Sequence, residues 1–261
     1  MTTLRSKFLL GSTLGVTALG GVTIAAPAAA EVTGNIGVVS QYIFRGYAED
    51  DRTALQGGLD YAHDSGFYAG TWWSTLNYTE TDSNDEGGAT NNNEVDVYAG
   101  YAGEAGDLGY DVGLLYFYYT GDGEGTRDVG GETVATEDGD SNTPELYASG
   151  SYGPFGLAAN YGLGDSLWAN EGDIYLNASY GTDLPKDFGL DISVGYYSYE
   201  KEGEFIAETD DSISSGIRDT TISLTHPLGD AEMSVNYMIG GEDRDGSDID
   251  DALWYGATWS F

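Results

Sequence analysis

Apolar and polar positions alternate with a period of two along most of the chain from about residue 32 to its last residue. Successive side chains of a β-strand point to opposite faces, so this alternation predicts strands that each carry one apolar face. The segment 252–261 shows it most plainly. Leu253, Tyr255, Ala257, Trp259 and Phe261 make one set; Ala252, Trp254, Gly256, Thr258 and Ser260 make the other, smaller and more polar set apart from Trp254. The apolar set continues to Phe261, where an end facing water would fray. The pattern is that of a strand whose apolar face meets an apolar medium along its whole length.

Eleven further segments follow the same rule: 32–44, 53–62, 67–78, 94–103, 108–120, 145–152, 155–163, 173–181, 189–200, 219–226 and 231–240. Their connections sort by length. After odd-numbered segments come the intervals 45–52, 79–93, 121–144, 164–172, 201–218 and 241–251, long and strongly acidic. After even-numbered segments come 63–66, 104–107, 153–154, 182–188 and 227–230, which are short. Twelve is an even number, and short turns at one end with long loops at the other is the pattern of outer-membrane barrels. A sandwich or propeller has no reason to alternate its loop lengths strictly, and no fixed repeat marks a propeller or solenoid. The expected fold is all-β: a transmembrane, antiparallel, up-and-down barrel of about 12 strands, with short periplasmic turns and long acidic extracellular loops.

The first thirty residues fit this reading. Arg5 and Lys7 precede an apolar stretch over 8–26 and then Pro27, Ala28, Ala29 and Ala30, the order of a secretory signal peptide with cleavage after Ala30. The expected division is therefore 1–30 as a removed signal and 31–261 as the barrel. Beyond residue 30 no apolar run approaches the ~20 residues of a spanning helix. A chain in the membrane must then be a closed barrel, because only helices and barrels satisfy their own backbone in lipid.

Composition sharpens the picture. The 261 residues include 40 Gly and 21 Tyr but only 5 Pro and no Cys. These levels suit strands and turns, held without disulfides. Lys and Arg number 9 against 44 Asp and Glu, a formal net charge of −35, and loss of the leader removes two more cations. Such a chain cannot neutralise nucleic-acid phosphates. It favours cations, divalent ones at a cell surface included; the acidity also fits solubility or a saline habitat.

Isolated carboxylates facing hydrocarbon are costly, so Asp60, Asp96, Asp111, Asp191 and Glu232, which fall on the polar faces, are assigned to the lumen. Trp72, Trp73, Tyr78, Trp254 and Trp259, near strand ends, suit interfacial belts. The fifth segment departs from the rule, since 114–119 reads Leu-Leu-Tyr-Phe-Tyr-Tyr and is apolar on both faces. Leu115, Phe117 and Tyr119 then point inward, where they narrow the channel or pack against an in-folded loop.

Three stretches are more specific: Ser40-Gln41-Tyr42-Ile43-Phe44-Arg45-Gly46, then Ala54-Leu55-Gln56-Gly57-Gly58-Leu59-Asp60-Tyr61, then Gly66-Phe67-Tyr68-Ala69-Gly70-Thr71-Trp72-Trp73-Ser74. They resemble the N-terminal signature of the TorF-type putative porins of proteobacteria, a family of unknown function. The remainder resembles that family in length, leader and terminal Phe and departs from it in its unusually acidic loops. The resemblance implies an outer-membrane pore and carries no catalytic residues. The terminal strand likewise resembles the closing strand of bacterial outer-membrane barrels, which makes Trp259 and Phe261 the expected signal to the barrel-assembly machinery. Arg45 faces inward by parity from Val39 and Gln41. It is either a constriction charge or one arm of a salt bridge that pins the first loop to the barrel. Gly57 and Gly58 mark a bend or a close backbone approach.

Enzymatic readings find little support. Some twelve-stranded outer-membrane barrels are lipid hydrolases using Ser and His, but His63 and His226 are the two histidines here, and both fall beside short turns. His63-Asp64-Ser65 is contiguous, whereas triad members converge from separate segments. No zinc spacing is present. The run 245–251 superficially resembles a calcium loop without its terminal Glu; Asp245, Asp248 and Asp250 are at most weak divalent ligands in a solvated loop. No cofactor is expected. The expected partners are outer-membrane lipid and lipopolysaccharide, the assembly machinery, and small hydrophilic solutes or cations. Two functions remain open: a porin for passive diffusion of small hydrophilic solutes with a cation preference, and a plugged structural or surface-interaction barrel whose acidic loops bind divalent cations.

Overall fold

The computed structural model describes residues 30–76, 92–120, 125–129, 132–137 and 139–261. The signal-peptide region 1–29 and Tyr78 lie outside the described residues. Sixteen strands follow in chain order: β1 (Glu31–Val39), β2 (Tyr42–Phe44), β3 (Tyr47–Asp50), β4 (Ala54–Ala62), β5 (Phe67–Leu76), β6 (Asn92–Ala105), β7 (Leu108–Thr120), β8 (Gly125–Val129), β9 (Glu132–Thr136), β10 (Thr143–Tyr152), β11 (Phe155–Gly162), β12 (Ile174–Leu184), β13 (Phe188–Ser198), β14 (Ser215–Leu228), β15 (Ala231–Gly240) and β16 (Ala252–Ser260). Twelve of them close into one barrel in the order β1-β16-β15-β14-β13-β12-β11-β10-β7-β6-β5-β4, with β4 returning to β1. Every neighbouring pair is antiparallel and sequential along the wall, so the barrel is of the up-and-down kind. Among the described residues no helix is long and apolar enough to cross a membrane, which says nothing of strands.

Alternation sorts the side chains as the sequence requires. In β7, Leu108, Tyr110, Val112, Leu114, Tyr116 and Tyr118 are exposed on the outside, while Asp111, Leu115 and Phe117 are buried inside. The outer surface elsewhere is equally apolar: Val32, Leu59, Val97, Leu157, Ile239 and Leu253 are each about half or more exposed. In water such a surface would be an aggregation liability; a barrel in lipid has the converse requirement.

The seam closes through the terminal strand. Trp259 pairs with Ile36 and Ser260 with Asn35. Phe261 then exchanges backbone hydrogen bonds with Gly34, 2.8 and 2.9 Å. The approach is close: a Cβ on Gly34 would stand 2.7 Å from the Phe261 ring, which would have to shift to admit it. The predicted close approach at the paired glycines is also present: a Cβ on Gly57 would lie 2.8 Å from the Asn35 carbonyl oxygen, and one on Gly58 2.8 Å from that of Thr71.

Three expectations are corrected. The first segment, 32–44, is not one strand: β1 ends at Val39, and Tyr42 and Phe44 leave the wall with β2, whose hairpin with β3 turns into the lumen. The long interval 121–144 contains a second small hairpin, β8–β9. Trp72 and Trp254 do not belong to interfacial belts. Trp254 is 2% exposed and belongs with Trp72 to the interior cluster, because each sits on the inward parity of its strand.

Candidate functional site: a hairpin inside the lumen

The inward hairpin follows from local chemistry. The chain leaves the wall after one last rung to β16, with Ser40 N–H donating to the Tyr255 carbonyl and Tyr255 N–H donating to Ser40 Oγ. Tyr42-Ile43-Phe44 and Tyr47-Ala48-Glu49-Asp50 then pair across a two-residue turn, Arg45-Gly46. Both turn residues have positive φ, 44° and 80°. That is the mirror-image turn whose twist matches an antiparallel pair, usually built from Asn-Gly. Arg45 occupies a position that strongly favours Gly or Asn, so the surroundings must hold it there.

Four strands supply that hold. Arg45 Nη1 and Nη2 donate to Glu145 Oε1 and Oε2 on β10 at 2.7 and 2.6 Å, a bidentate pair with both side chains almost fully buried. Nη1 also reaches the Tyr197 hydroxyl on β13 at 3.3 Å. The guanidinium lies over the rings of Phe44 and Tyr175, 4.8 and 5.0 Å from their centroids. Burial alone would lower the Arg45 pKa; the Glu145 carboxylate and Tyr197 reverse this and hold it well above the ordinary arginine range. The Arg45 carbonyl accepts from Arg218 Nε at 3.1 Å. Of the two readings of Arg45 drawn from sequence, the geometry is that of the pinning bridge.

Arg218 reaches the lumen through a β-bulge. Tyr196 pairs with Ile217 and Gly195 with Asp219, leaving Arg218 as the extra residue. Arg218 and Asp219 are therefore both buried, as bulges allow by re-aiming a side chain. Arg218 also bonds Asp243 and the Tyr199 hydroxyl. Arg244 pairs with Asp173 and donates to the Glu200 carbonyl at 2.8 Å, linking the loops at 163–173, 199–214 and 241–251. Burial raises the pKa of Asp173, with Arg244 opposing it.

The apolar side of the hairpin meets the inward residues of β7. Phe44 packs edge-on against Phe117 at 5.7 Å between centroids and against Trp168 at 6.4 Å; Trp168 packs edge-on against Phe117 at 5.2 Å and Tyr119 at 6.5 Å. Trp168 is itself held by its indole N–H to the Ser141 carbonyl, 2.8 Å. Tyr42 packs edge-on against Trp72 at 5.5 Å. Leu115 and Phe117 are 1% and 0% exposed, so on this side the outer part of the lumen is solid. Of the two sequence alternatives for this strand, packing against an in-folded segment is the one observed.

The remaining lumen candidates all face inward but do not form one cluster. Asp96 lies near Arg45 and Glu145. Asp60 accepts from the Tyr98 hydroxyl at 2.5 Å, and Asp111 accepts from Tyr68 at 2.6 Å, Tyr68 in turn contacting the Tyr147 hydroxyl. Asp191 and Glu232 approach one another near the short turns. The inner face is thus packed and charged toward the long loops and bears tyrosines and carboxylates toward the short turns.

Other candidates stand apart. Asp245 accepts from Ser247 N–H and Oγ at 2.9 and 2.6 Å, and these bonds lower its pKa. Among the described residues Asp245, Asp248 and Asp250 do not converge as a metal-ligand group of three. His63 contacts Ser65 and Asp64 at an exposed turn, and His226 packs on Phe188. Sequence reasoning did not single out Glu145, Glu94, Arg218 or Trp168. Parity from Tyr147 could have placed Glu145 inward and parity from Asp96 could have placed Glu94. The bulge at Arg218 and the loop position of Trp168 leave no periodic signal.

Comparison with known proteins adds a family and a fold. Residues 24–255 match the family described as "Bacterial protein of unknown function (Gcw_chp)". A search of curated proteins gave no match. Among solved structures, the KdgM porin is similar at 11% identity and a TM-score of 0.50, over 88% of this chain and 99% of that one. The NanC porin is similar at 13% identity and 0.48, over 88% and 99%. Outer membrane phospholipase A from Escherichia coli is similar at 10% and 0.38, over 87% and 88%. At such identities the KdgM likeness speaks to fold alone.

Proposed function

The chain belongs to the Gcw_chp family of bacterial proteins, and for this member we propose an outer-membrane porin that passes small hydrophilic solutes with a preference for cations. The observation that carries the proposal is the division of the wall into an apolar outer face and a carboxylate-bearing inner one. Twelve strands stand between barrels filled by side chains and barrels with wide channels. The carboxylates of Asp60, Asp111, Asp191 and Glu232 face no basic side chain among their described hydrogen-bond and ion-pair partners. An acidic lumen with low-dielectric walls concentrates cations. In this reading residues 1–30 direct export, the TorF-type resemblance marks the same porin class, and Trp259 and Phe261 serve assembly. Lipid and lipopolysaccharide surround the barrel.

A second reading has its own support. The Phe44–Phe117–Trp168 packing occupies the lumen toward the long loops, which favours a plugged barrel whose role lies at the surface. Single-channel recording in planar bilayers decides between them. The porin reading expects steps in conductance with a reversal potential on the cation side. Silence from well-folded protein, with conductance gained on removal of residues 41–52, favours the plug; anion preference overturns the proposed selectivity.

A further inference from the structure

The hairpin is the middle of a septum. Tyr42, Ile43 and Phe44 belong to one buried apolar cluster with Leu115 and Phe117 on β7 and, on the opposite side of the ring of strands, Met238 and Trp254 on β15 and β16. Toward β10 and β14 the cluster gives way to buried polar groups, Glu145, Arg218 and Asp219. Two arginines hold the hairpin tip there, and they differ in what stands behind them. Arg45 is backed by Glu145, on the wall. Arg218 Nε donates to the Arg45 carbonyl at 3.1 Å, and Arg218 is backed by Asp243, on the loop at 241–251. The same Nη1 that meets Asp243 reaches the Tyr199 hydroxyl at 3.3 Å, and the centroid of the Tyr197 ring lies 5.8 Å from the guanidinium. Gly46, the other turn residue, packs so close that a Cβ on it would stand 2.9 Å from Arg218 Cγ. A guanidinium is a planar, rigid fork, so holding it at Nη1 fixes the direction in which Nε points.

The loop is itself clipped to this place. Gly241 N–H donates to the Arg218 carbonyl and Glu242 N–H to that of Ile217, both at 3.0 Å. Ile213 N–H donates to the Arg244 carbonyl at 2.9 Å, and Arg244 carries the tie on to Asp173. The Arg244 guanidinium lies 4.5 Å from the centroid of the Tyr199 ring, which stacks on Tyr197 at 4.9 Å. Loops and hairpin tip thus share one stack of arginines and tyrosines. We propose that the outer loops latch the hairpin through Arg218: Asp243 sets the guanidinium at the angle from which it holds the Arg45 carbonyl, so displacing the loop at 241–251 releases the tip and opens the lumen from the loop side. The consequence for the lumen rests on the porin reading; the latch itself is a property of the hairpin. Arg218 acts as a positioning residue that no solute needs to touch.

The chain has no cysteine, so a single introduced thiol reports on the hairpin. Ile43→Cys stands at a buried hairpin position, and its labelling by a water-soluble maleimide is followed on the folded protein in liposomes. The expected rate is slow in the otherwise wild-type chain and about ten- to hundredfold faster with Asp243→Ala, the span of one hydrogen bond to a charged group. Arg218→Lys keeps the charge but cannot span both partners, and gives the same acceleration. Lys201→Ala, which breaks the exposed Lys201–Glu208 pair in the neighbouring loop, leaves the rate unchanged. Ala102→Cys, buried on β6, stays slow in every background. Where Ile43→Cys does not fold, Leu115→Cys on the wall beneath the hairpin reads the same change. An unaltered rate in Asp243→Ala and Arg218→Lys overturns the latch. So does equal acceleration at Ala102→Cys, which makes the effect a loosening of the whole barrel. Faster hairpin labelling without conductance supports the latch and counts against the porin; conductance with unaltered labelling overturns the latch and leaves the porin reading intact.

Discussion

Replacing Arg45 by Ala tests whether the hairpin is held by its tip. The pair it breaks is bidentate, with side chains 3% and 4% exposed. Once the guanidinium is gone, Glu145 retains only the Asn160 amide at 3.3 Å among its described hydrogen bonds. Removing one partner of a buried ion pair costs about 3–5 kcal/mol, much of it from the charge left behind. The φ of 44° at this position gives Ala no relief. Arg45→Gly removes the same pair but recovers about 1–2 kcal/mol of left-handed strain. Arg45→Ala with Glu145→Gln removes the orphaned charge and restores part of the loss. The expected stability order is therefore wild type, then Arg45→Gly or the double variant, then Arg45→Ala.

The same energy sets the population of the undocked hairpin. At about 1.4 kcal/mol per factor of ten, a 3–5 kcal/mol loss raises that population by about two to four powers of ten. The contacts that remain are weaker. The Phe44 edge-on pairs with Phe117 and Trp168 contribute about 0.5–1.5 kcal/mol each, and Arg218 still holds the tip carbonyl. Urea titration of the protein in liposomes reads the stability, and open-state occupancy in planar bilayers reads the hairpin. A wild-type urea midpoint together with wild-type occupancy in Arg45→Ala refutes the reasoning, because the pair would then be holding nothing.

Three further outcomes follow from the wall. Leu114→Arg, on the outward face in mid-β7 with Leu114 55% exposed, should cost about 2–4 kcal/mol in liposomes, the depth-dependent cost of a cation in lipid; urea titration in liposomes reads the loss, and an unchanged midpoint refutes a lipid-facing Leu114. Gly113→Ala should destabilise by about 1–3 kcal/mol, since the Tyr147 ring lies across that glycine and the Ala99 carbonyl is only 2.6 Å from its would-be Cβ; urea titration checks it. Asp191→Asn with Glu232→Gln should leave the urea midpoint close to that of wild type while moving the reversal potential toward zero selectivity in a salt gradient.

The barrel was legible because a closed barrel with an apolar outer face obeys a simple rule along its wall. Every second residue must be apolar, and the strand must run long enough to cross. That is why β7 and β15 fall at their expected limits, 108–120 and 231–240, and why the other wall strands differ at their ends by a few residues. The lumen obeys no such rule. Tyr42 and Phe44 keep the two-residue rhythm of β1 after the chain has left the wall, since β2 is itself a strand, so periodicity extends the first segment too far. The marker of the departure is Arg45-Gly46, a turn dipeptide concealed inside a family-like stretch. Trp254 misleads for the opposite reason: its chemistry suits an interface, but parity places it inside.

The double apolar face of β7 shows how an exception to a pattern can locate its partner. A wall strand with Leu115, Phe117 and Tyr119 inward cannot face water without cost, so something apolar had to come to it. The hairpin and Trp168 do so from loops separated widely in sequence. The charges on the hairpin then create the converse demand. Arg45 is carried inward by the same turn that delivers Phe44, and it needs Glu145; Tyr42 is carried inward beside the buried Glu94. A lumen designed only to be filled would need neither arginine nor buried acids. One that holds a segment in place by its tip needs the arginine and its acid. This is the physical reason to look for function at the hairpin rather than in the acidic loops, despite their larger share of the charge.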